Sequence, residues 1–575
     1  MRSLSQNALV HTPPMKPSPP SPDSAPAHEI LSLLHPDPIA RPDLEEMRQA
    51  LSFAFASGVS GGLFSQALER APLAPSTWDP KSFAPDLFLE EFVARGFRVR
   101  TGGERDAVVN RAFILRVLAH PPTDPRVADF RREILRELSS STVFRRQFEE
   151  LYTLACRLRA ALEGATAGKK FDATRRQLDV LVLVKEAFDR MSESFDGAKS
   201  GLSGLREFGA SVRETEGYRS MVDLLDYDEH LATLGVTIRV GADGRVRGFE
   251  VRNLRERQDN PFVLSPARRW LARIEMFFRG YRFSDGEVMA RLLDAVFEGI
   301  EAHVLRFIPL LGEMEVYLGA LGFRDLAEAA GLEVCLPEIR PAVEGTDEQP
   351  RKLIGLFNPL LVASGVRAVP CDLVSDRTNA TVLITGPNSG GKTRLLQSVA
   401  LAQLLAQGGM FVPAREASLV RVPGLVVSLI QETRVDQSEG RLGMELVRIR
   451  ALFEMLGPGA MVMLDELCSG TNPSEGEEIF ELVITLLAKL RPQAFITTHF
   501  LTFAARLARE NSIAGLRFIQ VGLDAAHRPT YQFVAGVATT SLASHAAARL
   551  GVSRDELEGL IDRNMRAPAA RARES

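Results

Sequence analysis

Apolar residues recur at helical spacing through much of the first 331 positions. The stretches Val127–Gly164 (VADFRREILRELSSSTVFRRQFEELYTLACRLRAALEG) and Gln177–Phe195 (QLDVLVLVKEAFDRMSESF) each carry one apolar face and predict long helices. PPTDP, just before the first, supplies a helix stop and restart. AVVNRAFILRVLAH, from Ala107, reads as a further helix, and PDLFLEEFVARGF, from Pro85, as a short amphipathic one. From Ser284 to Gly331 the helical period persists over a length unusual for a compact domain. Between about 231 and 282 the period switches to two. VTIRV and RVRGFEV are alternating, β-branched runs joined by GADG, which predicts a hairpin. From about Gly331 onward, short apolar runs alternate with helical stretches, the pattern of an α/β domain with a largely buried sheet.

This divides the chain into five expected parts. Residues 1–40, rich in Pro and Ser, read as a disordered tail. Residues 41–110, broken by prolines and glycines, form a short region whose fold the pattern does not reveal. Residues 111–330 form a mainly α-helical domain with the β-containing insert at about 231–282. Residues 331–535 form an α/β domain, and 536–575 a helical segment ending in a polar tail.

The hydrophobic fraction of 45% and charged fraction of 25% are those of a globular protein and exclude general disorder. A formal net charge of -4 excludes a generally basic nucleic-acid coat, so a nucleic-acid contact has to be local. The insert is such a place: between Arg239 and Arg282 eleven arginines face five acids. A solvated surface hairpin and a phosphate-contacting module both fit that composition. The four cysteines, Cys156, Cys335, Cys371 and Cys468, form no CxxC pair, which points away from a disulfide framework and towards a reducing, cytoplasmic setting. No apolar run approaches the roughly 18 residues of a membrane span.

The apolar run Thr381–Thr385 feeds directly into Gly386-Pro387-Asn388-Ser389-Gly390-Gly391-Lys392-Thr393 and then into the helical stretch RLLQSVALAQLLAQ. Glycine backbone lets successive N–H groups close on phosphates, a lysine reaches the β and γ oxygens, and a threonine hydroxyl ligates Mg2+. The pattern therefore predicts an ATP site built from these eight residues. A second apolar run, MVML, ends in Asp465 and Glu466. There Asp465 is placed to hold Mg2+ and Glu466 to polarise the attacking water. A third run, Ala494–Thr497, ends in Thr498 and His499, and a histidine at that position can hold the water or sense the γ-phosphate.

These residues resemble the MutS family, the mismatch-repair and recombination ATPases of the ABC class. GPNSGGKT from Gly386 resembles the family's P-loop, LDELCSGTNPSEG from Leu464 its Walker B segment and D-loop, and TTHF from Thr497 its switch histidine. VPCDL from Val369 and GGMFVPA from Gly408 are similar to the segments flanking its P-loop helix. YQFVAGVATTSLASHAAARLGVS, with Gly536 and Ser541, resembles the helix-turn-helix through which the family's ATPase domains pair. More weakly, Leu115–Leu138 resembles the start of its helical core and lever domain.

The resemblance implies an ABC-class P-loop domain preceded by a helical core and lever with a DNA-gripping clamp. It also implies a homodimer in which ATP joins two chains. Closure of the pair would change the grip on duplex, mismatched or branched DNA, in mismatch repair or recombination, in the cytoplasm with the nucleoid.

The sequence departs from the family in three places. The signature segment DQSEGRLGMELVRIR, from Asp436, is about two residues short, with Ser438 and Glu445 as its candidate functional residues. Phe88-Leu89-Glu90 fits the Phe-x-Glu mismatch wedge but sits in a helical pattern. Neither a mismatch-recognition domain nor an Smr-type nuclease domain is expected. Two other readings stay open at this point: an ABC-class ATPase acting on a protein partner, and a scaffold that dimerises on ATP with little turnover.

Overall fold

A computed structural model describes residues 29–100, 107–163, 173–230, 233–240, 246–255, 285–342, 349–429, 441–468, 472–539, 552 and 554–571. The first of these are already packed. Strands β1 (Glu29–Ile30) and β2 (Ile39–Ala40) pair antiparallel, and Ile30, Leu33 and Leu34 are buried in the main core. Buried Glu313 accepts hydrogen bonds from Ser32 Oγ at 3.0 Å and Leu33 N at 2.5 Å. The expectation of a disordered tail reaching Ala40 is thus corrected for residues 29–40. The run ILSLL holds enough apolar surface to dock, and its backbone finds a buried acceptor. The rest of the expected tail lies outside the described residues.

The region of unread fold is helical: α1 (Leu44–Ser57), α2 (Leu63–Glu69), a 3-10 turn at Pro80–Ser82 and α3 (Leu89–Gly96). Phe88 precedes α3 in a left-handed conformation, with Leu89 buried and Glu90 exposed, so Phe-x-Glu is the start of a helix here.

Next come α4 (Arg111–Ala119), α5 (Pro125–Ser140), α6 (Thr142–Leu162), α7 (Ala173–Glu193), α8 (Leu202–Arg213) and α9 (Glu216–His230). The stretch read as continuous from Val127 to Gly164 breaks at Ser141, which is extended and caps α6 through its hydroxyl on Phe144 N. Asn110 caps α4 in the same manner.

The insert supplies an antiparallel hairpin of β3 (Thr233–Val240) and β4 (Val246–Arg255). Its GADG turn and residues 256–284 lie outside the described residues. A single 45-residue helix, α10 (Asp285–Ala329), then runs back to the α/β domain with Pro309 inside it. It crosses α9 where Gly217 meets Gly299, and a Cβ on Gly217 would lie 2.0 Å from the Gly299 carbonyl oxygen. Only glycine permits that approach.

The remaining strands form two sheets. The smaller holds β5 (Glu338–Arg340), β6 (Arg351–Leu356), β7 (Cys371–Ser375) and β9 (Glu416–Val420) in the order β5-β9-β6-β7. The larger uses β8 (Thr381–Thr385), β10 (Leu425–Ser428), β11 (Met461–Leu464), β12 (Gln493–Thr497), β13 (Leu516–Leu523) and β14 (Pro529–Ala535). Its order is β10-β11-β12-β8-β13-β14, parallel except for β14 at one edge.

The helices of this half are α11 (Pro359–Ala363), α12 (Lys392–Gly408), α13 (Arg441–Met455), α14 (Pro473–Lys489), α15 (Leu501–Glu510) and α16 (Arg554–Arg571). Side chains alternate cleanly between the two faces of the larger sheet. Val382, Ile384, Met461, Met463 and Phe495 join α12 and the helical half in one core. Leu383, Val462, Leu464 and Ile496 join Phe480, Ile484 and Phe503 of α14 and α15 in another. This is a parallel sheet covered on both faces, which is why its strands read as unbroken apolar runs.

Arg131 of α5 is fully buried and ties the halves together, donating from Nε to Leu34 O at 3.0 Å and from Nη1 to Gly408 O at 3.2 Å. Nearby, burial pushes the Glu313 carboxyl from near 4.5 up to about 7, against the pull of the Leu33 N–H, Ser32, Arg131 and Arg41. In the unfolded chain this carboxyl ionises first, so stability from Glu313 is full below about pH 4.5 and is lost as pH rises to about 7. Glu313→Gln can keep both hydrogen bonds. Between pH 5 and 7 the wild-type Tm should therefore fall relative to this variant, by an amount worth up to about 3 kcal/mol. Calorimetry at the two pH values checks this, and parallel curves would mean that Glu313 titrates ordinarily.

Candidate functional site

Three strand ends converge where the register puts Thr497 of β12 opposite Ile384 of β8, and Leu464 of β11 opposite Ile496 of β12. The loop Gly386–Gly391 leaves β8 at this edge and enters α12. Gly386 has φ 139°, and a Cβ there would lie 2.7 Å from Val521 Cγ2. Gly390 has the Pro387 carbonyl oxygen at 2.9 Å from its would-be Cβ. The loop can close this tightly only because these positions carry no side chain. Asn388 and Ser389 stand exposed at its tip, while Gly386 and Pro387 are buried.

Lys392 is buried with its ammonium inside the loop, where Nζ donates to Gly386 O at 3.0 Å, Pro387 O at 3.2 Å and Asn388 Oδ1 at 3.4 Å. Burial lowers its pKa, opposed by the charges of Glu466 and Asp465. The next residue, Thr393, donates from Oγ1 to Asp465 Oδ2 at 2.6 Å. The backbone N–H of Asp465 donates to Ser428 O at 3.0 Å, and that of Glu466 to Thr497 Oγ1 at 2.9 Å. Loop, lysine, threonine and paired carboxylates thus meet at one mouth. The donor set fits a nucleotide triphosphate with Mg2+: a buried ammonium and loop N–H groups for phosphate, and a hydroxyl and carboxylate in contact for the metal.

Glu466 is half-buried at φ 49°, and Cys468 follows at φ 60°. With Ser389 and Tyr531, they make four of the nine non-glycine residues at positive φ among the described residues. Backbone strain is therefore concentrated at this site, as it is at working sites generally. His499 follows β12, is exposed and rests its ring 4.5 Å from that of Phe500. Glu445 of α13 lies against Cys468, and burial together with this carboxylate pushes the thiol up to about 12. Ser438 and Ser541 lie outside the described residues. Gly536 sits at φ 121°, its N–H on Phe518 O at 3.0 Å.

Residues 382–557 match the sequence model of MutS domain V, the P-loop domain of that family. The α/β half of the chain carries a MutS-family domain. Among curated relatives, a protein named Endonuclease MutS2 from Thermus thermophilus is 34% identical over 244 residues. That alignment covers 42% of this chain and 31% of the relative. The namesake from Streptococcus thermophilus is 28% identical over 290 residues, 49% of this chain and 35% of its own. The chain therefore spans about a third of the length of these curated relatives.

Within this MutS-family site, sequence reasoning missed Tyr531. Its ring sits 3.2 Å from where a Cβ of Gly391 would be, and its φ of 59° is strained for a bulky residue. Beside it a cavity of about 250 Å³ opens, lined by Asn358, Val369, Gly391, Arg394, Tyr531 and Phe533. An aromatic face at the first turn of the P-loop helix suits a nucleotide base. Reading also missed Thr385, whose Oγ1 takes Ala538 N at 2.9 Å beneath the loop. Hydrogen bonds from a charged donor contribute about 1.5–3 kcal/mol. Lys392→Met should therefore weaken binding of a fluorescent ATP analogue by about 10- to 100-fold without lowering Tm.

Proposed function

We propose that this chain is an ATP hydrolase that works as a pair of copies and couples its nucleotide state to DNA held by the hairpin arm. The observation that carries the reading is the 2.6 Å contact of Thr393 with Asp465 beside a buried Lys392, at the mouth of a loop whose Gly386 and Gly390 have no room for a Cβ. The backbone of Gly386, Pro387, Asn388, Ser389, Gly390 and Gly391 takes the phosphates together with Lys392, and Thr393 and Asp465 hold Mg2+. The ion, when bound, neutralises charge developing between the β- and γ-phosphates. Glu466 orients the attacking water and accepts its proton, with His499 at the neighbouring strand end as the second partner of that water. Tyr531 stacks on the base.

Pairing is supported by α16, where Leu557, Leu560 and Ile561 stand 41%, 44% and 56% exposed at helical i, i+3, i+4 spacing. Coupling to DNA is supported by the arginine excess around the hairpin and by α10, one unbroken helix from the insert to the α/β domain. The proposed setting is mismatch repair or recombination, in the cytoplasm with the nucleoid. Among the described residues no helix is long and apolar enough to cross a membrane. The word endonuclease belongs to the relatives' names. Among the described residues no group of three or more His, Cys, Asp or Glu could hold a metal, and the proposal stops at ATP hydrolysis.

Three experiments test it. Glu466→Gln should lower ATP turnover by about 100-fold or more while keeping ATP binding, and should accumulate a nucleotide-bound dimer in size-exclusion chromatography. Wild-type turnover in that variant would remove Glu466 from the water-activating role. Steady-state turnover of the wild type should change on adding homoduplex, mismatched or four-way junction DNA, and the change should weaken steeply with salt. Indifference to every DNA would redirect the reading to a protein partner. Tyr531→Ala should raise the Kd for ATP about ten-fold and leave that for tripolyphosphate unchanged.

A further inference from the structure

Strand β10 is an edge of the larger sheet: one side pairs with β11, and the other has no neighbouring strand. That open side is covered by side chains from residues 77–86, a stretch no part of the nucleotide site uses. Thr77 Oγ1 donates to Pro423 O at 2.6 Å, Trp78 Nε1 to Val422 O at 3.2 Å and Ser82 Oγ to Leu425 O at 2.7 Å. At the far end the Asp86 carboxylate accepts from Leu429 N at 2.7 Å. Trp78, Ser82 and Asp86 are evenly spaced along the sequence and follow the strand from Val422 to Leu429.

We propose that Asp86 is a positioning residue for the metal-binding end of the nucleotide site, acting through β10. The inference rests on the ATP reading above and names the element that fixes its geometry. Leu429 is only 8% exposed, so its N–H has little access to water and depends on Asp86. The preceding Ser428 carbonyl accepts the Asp465 N–H at 3.0 Å, and Asp465 in turn accepts Thr393 at 2.6 Å. A run of three hydrogen bonds thus leads from a loop of the N-terminal region to the hydroxyl and carboxylate that would hold Mg2+. Asp86 never touches nucleotide; it fixes where the end of β10 lies, and that fixes where the Asp465 backbone can be.

The test uses the full chain with Asp86→Ala and Asp86→Asn. Mn2+ binding in the presence of ADP, followed by electron paramagnetic resonance, reads the metal site without turnover. Asp86→Ala should raise the Mn2+ dissociation constant about ten-fold, the low end for outer-shell partners. Its Kd for metal-free ADP should stay within about two-fold of wild type. Asp86→Asn, whose Oδ1 still accepts the bond, should lose less than about three-fold. In the nucleotide-free protein, hydrogen exchange over residues 425–429 should quicken in Asp86→Ala and not in Asp86→Asn.

Wild-type Mn2+ affinity in Asp86→Ala, or an equal loss of metal-free ADP binding, overturns the proposal. If Asp86→Ala does not fold, Ser82→Ala frees the Leu425 carbonyl on the same edge and should weaken Mn2+ binding about three-fold, with no change again counting against the idea. A wild-type chain that binds neither ADP nor Mn2+ would sink the ATP reading itself. Binding by the wild type with indifference to Asp86→Ala would sink only the positioning role.

Discussion

Helix α12 has no solvent face: every residue from Leu395 to Gly408 is buried. A helix in that position must satisfy its polar side chains and its C-terminal carbonyls from within the protein. Gln407 does so by accepting Val422 N at 2.7 Å and donating to Val422 O at 3.1 Å, and the amide nitrogen of Gln403 donates to Val420 O at 3.0 Å. The helix end at Gly408 is met by Arg131 from the other half of the chain. The phosphate loop is therefore the free tip of a rod clamped along its whole length, and that clamping holds Lys392 and Thr393 steady enough to meet Asp465.

Arg131 brings three parts of the chain to one guanidinium. It bonds the Leu34 carbonyl and the end of α12, and it lies within the electrostatic reach of Glu313 and Tyr317 on α10. Burial lowers its pKa, and Tyr317 and Glu313 oppose that shift. The P-loop helix and the long helix thus reach the same buried segment, Arg131 linking Gly408 to Leu34 while Glu313 and Tyr317 of α10 hold Ser32 and Leu33.

That the candidate site's residues meet was legible because they are grouped locally along the chain. TVLIT, the glycines and Lys392 are contiguous, and MVML with Asp465 and Glu466 repeats the strand-then-acid pattern. Tyr531 was not legible, because its meeting with Gly391 depends on the antiparallel return of β14. The break at Ser141 was hidden by an apolar period that continues across three serines. Residues 29–40 were misread because prolines on both sides diluted the ILSLL signal. The fold of 41–110 was opaque for a related reason: its helices are short, and Trp78, Ser82 and Asp86 act one at a time on backbone groups, which leaves no periodicity to detect. The arrangement of α12 against α4 and α5 lies in the same class, since a helix buried all round shows no amphipathic stripe.

The shared core of α12 with the N-terminal helices also bears on how such a protein can be built and rebuilt. P-loop domains are often treated as cassettes that move between proteins with their function intact. Here the cassette is not closed: the face of α12 that α4 and α5 cover belongs to the same core as the sheet. A nascent chain finishes its helical half first, and the α/β half then folds onto it. Synthesised alone, the α/β half would present a continuous apolar wall and associate with itself. An α/β half transplanted without α4 and α5 would therefore arrive with one wall of its core uncovered.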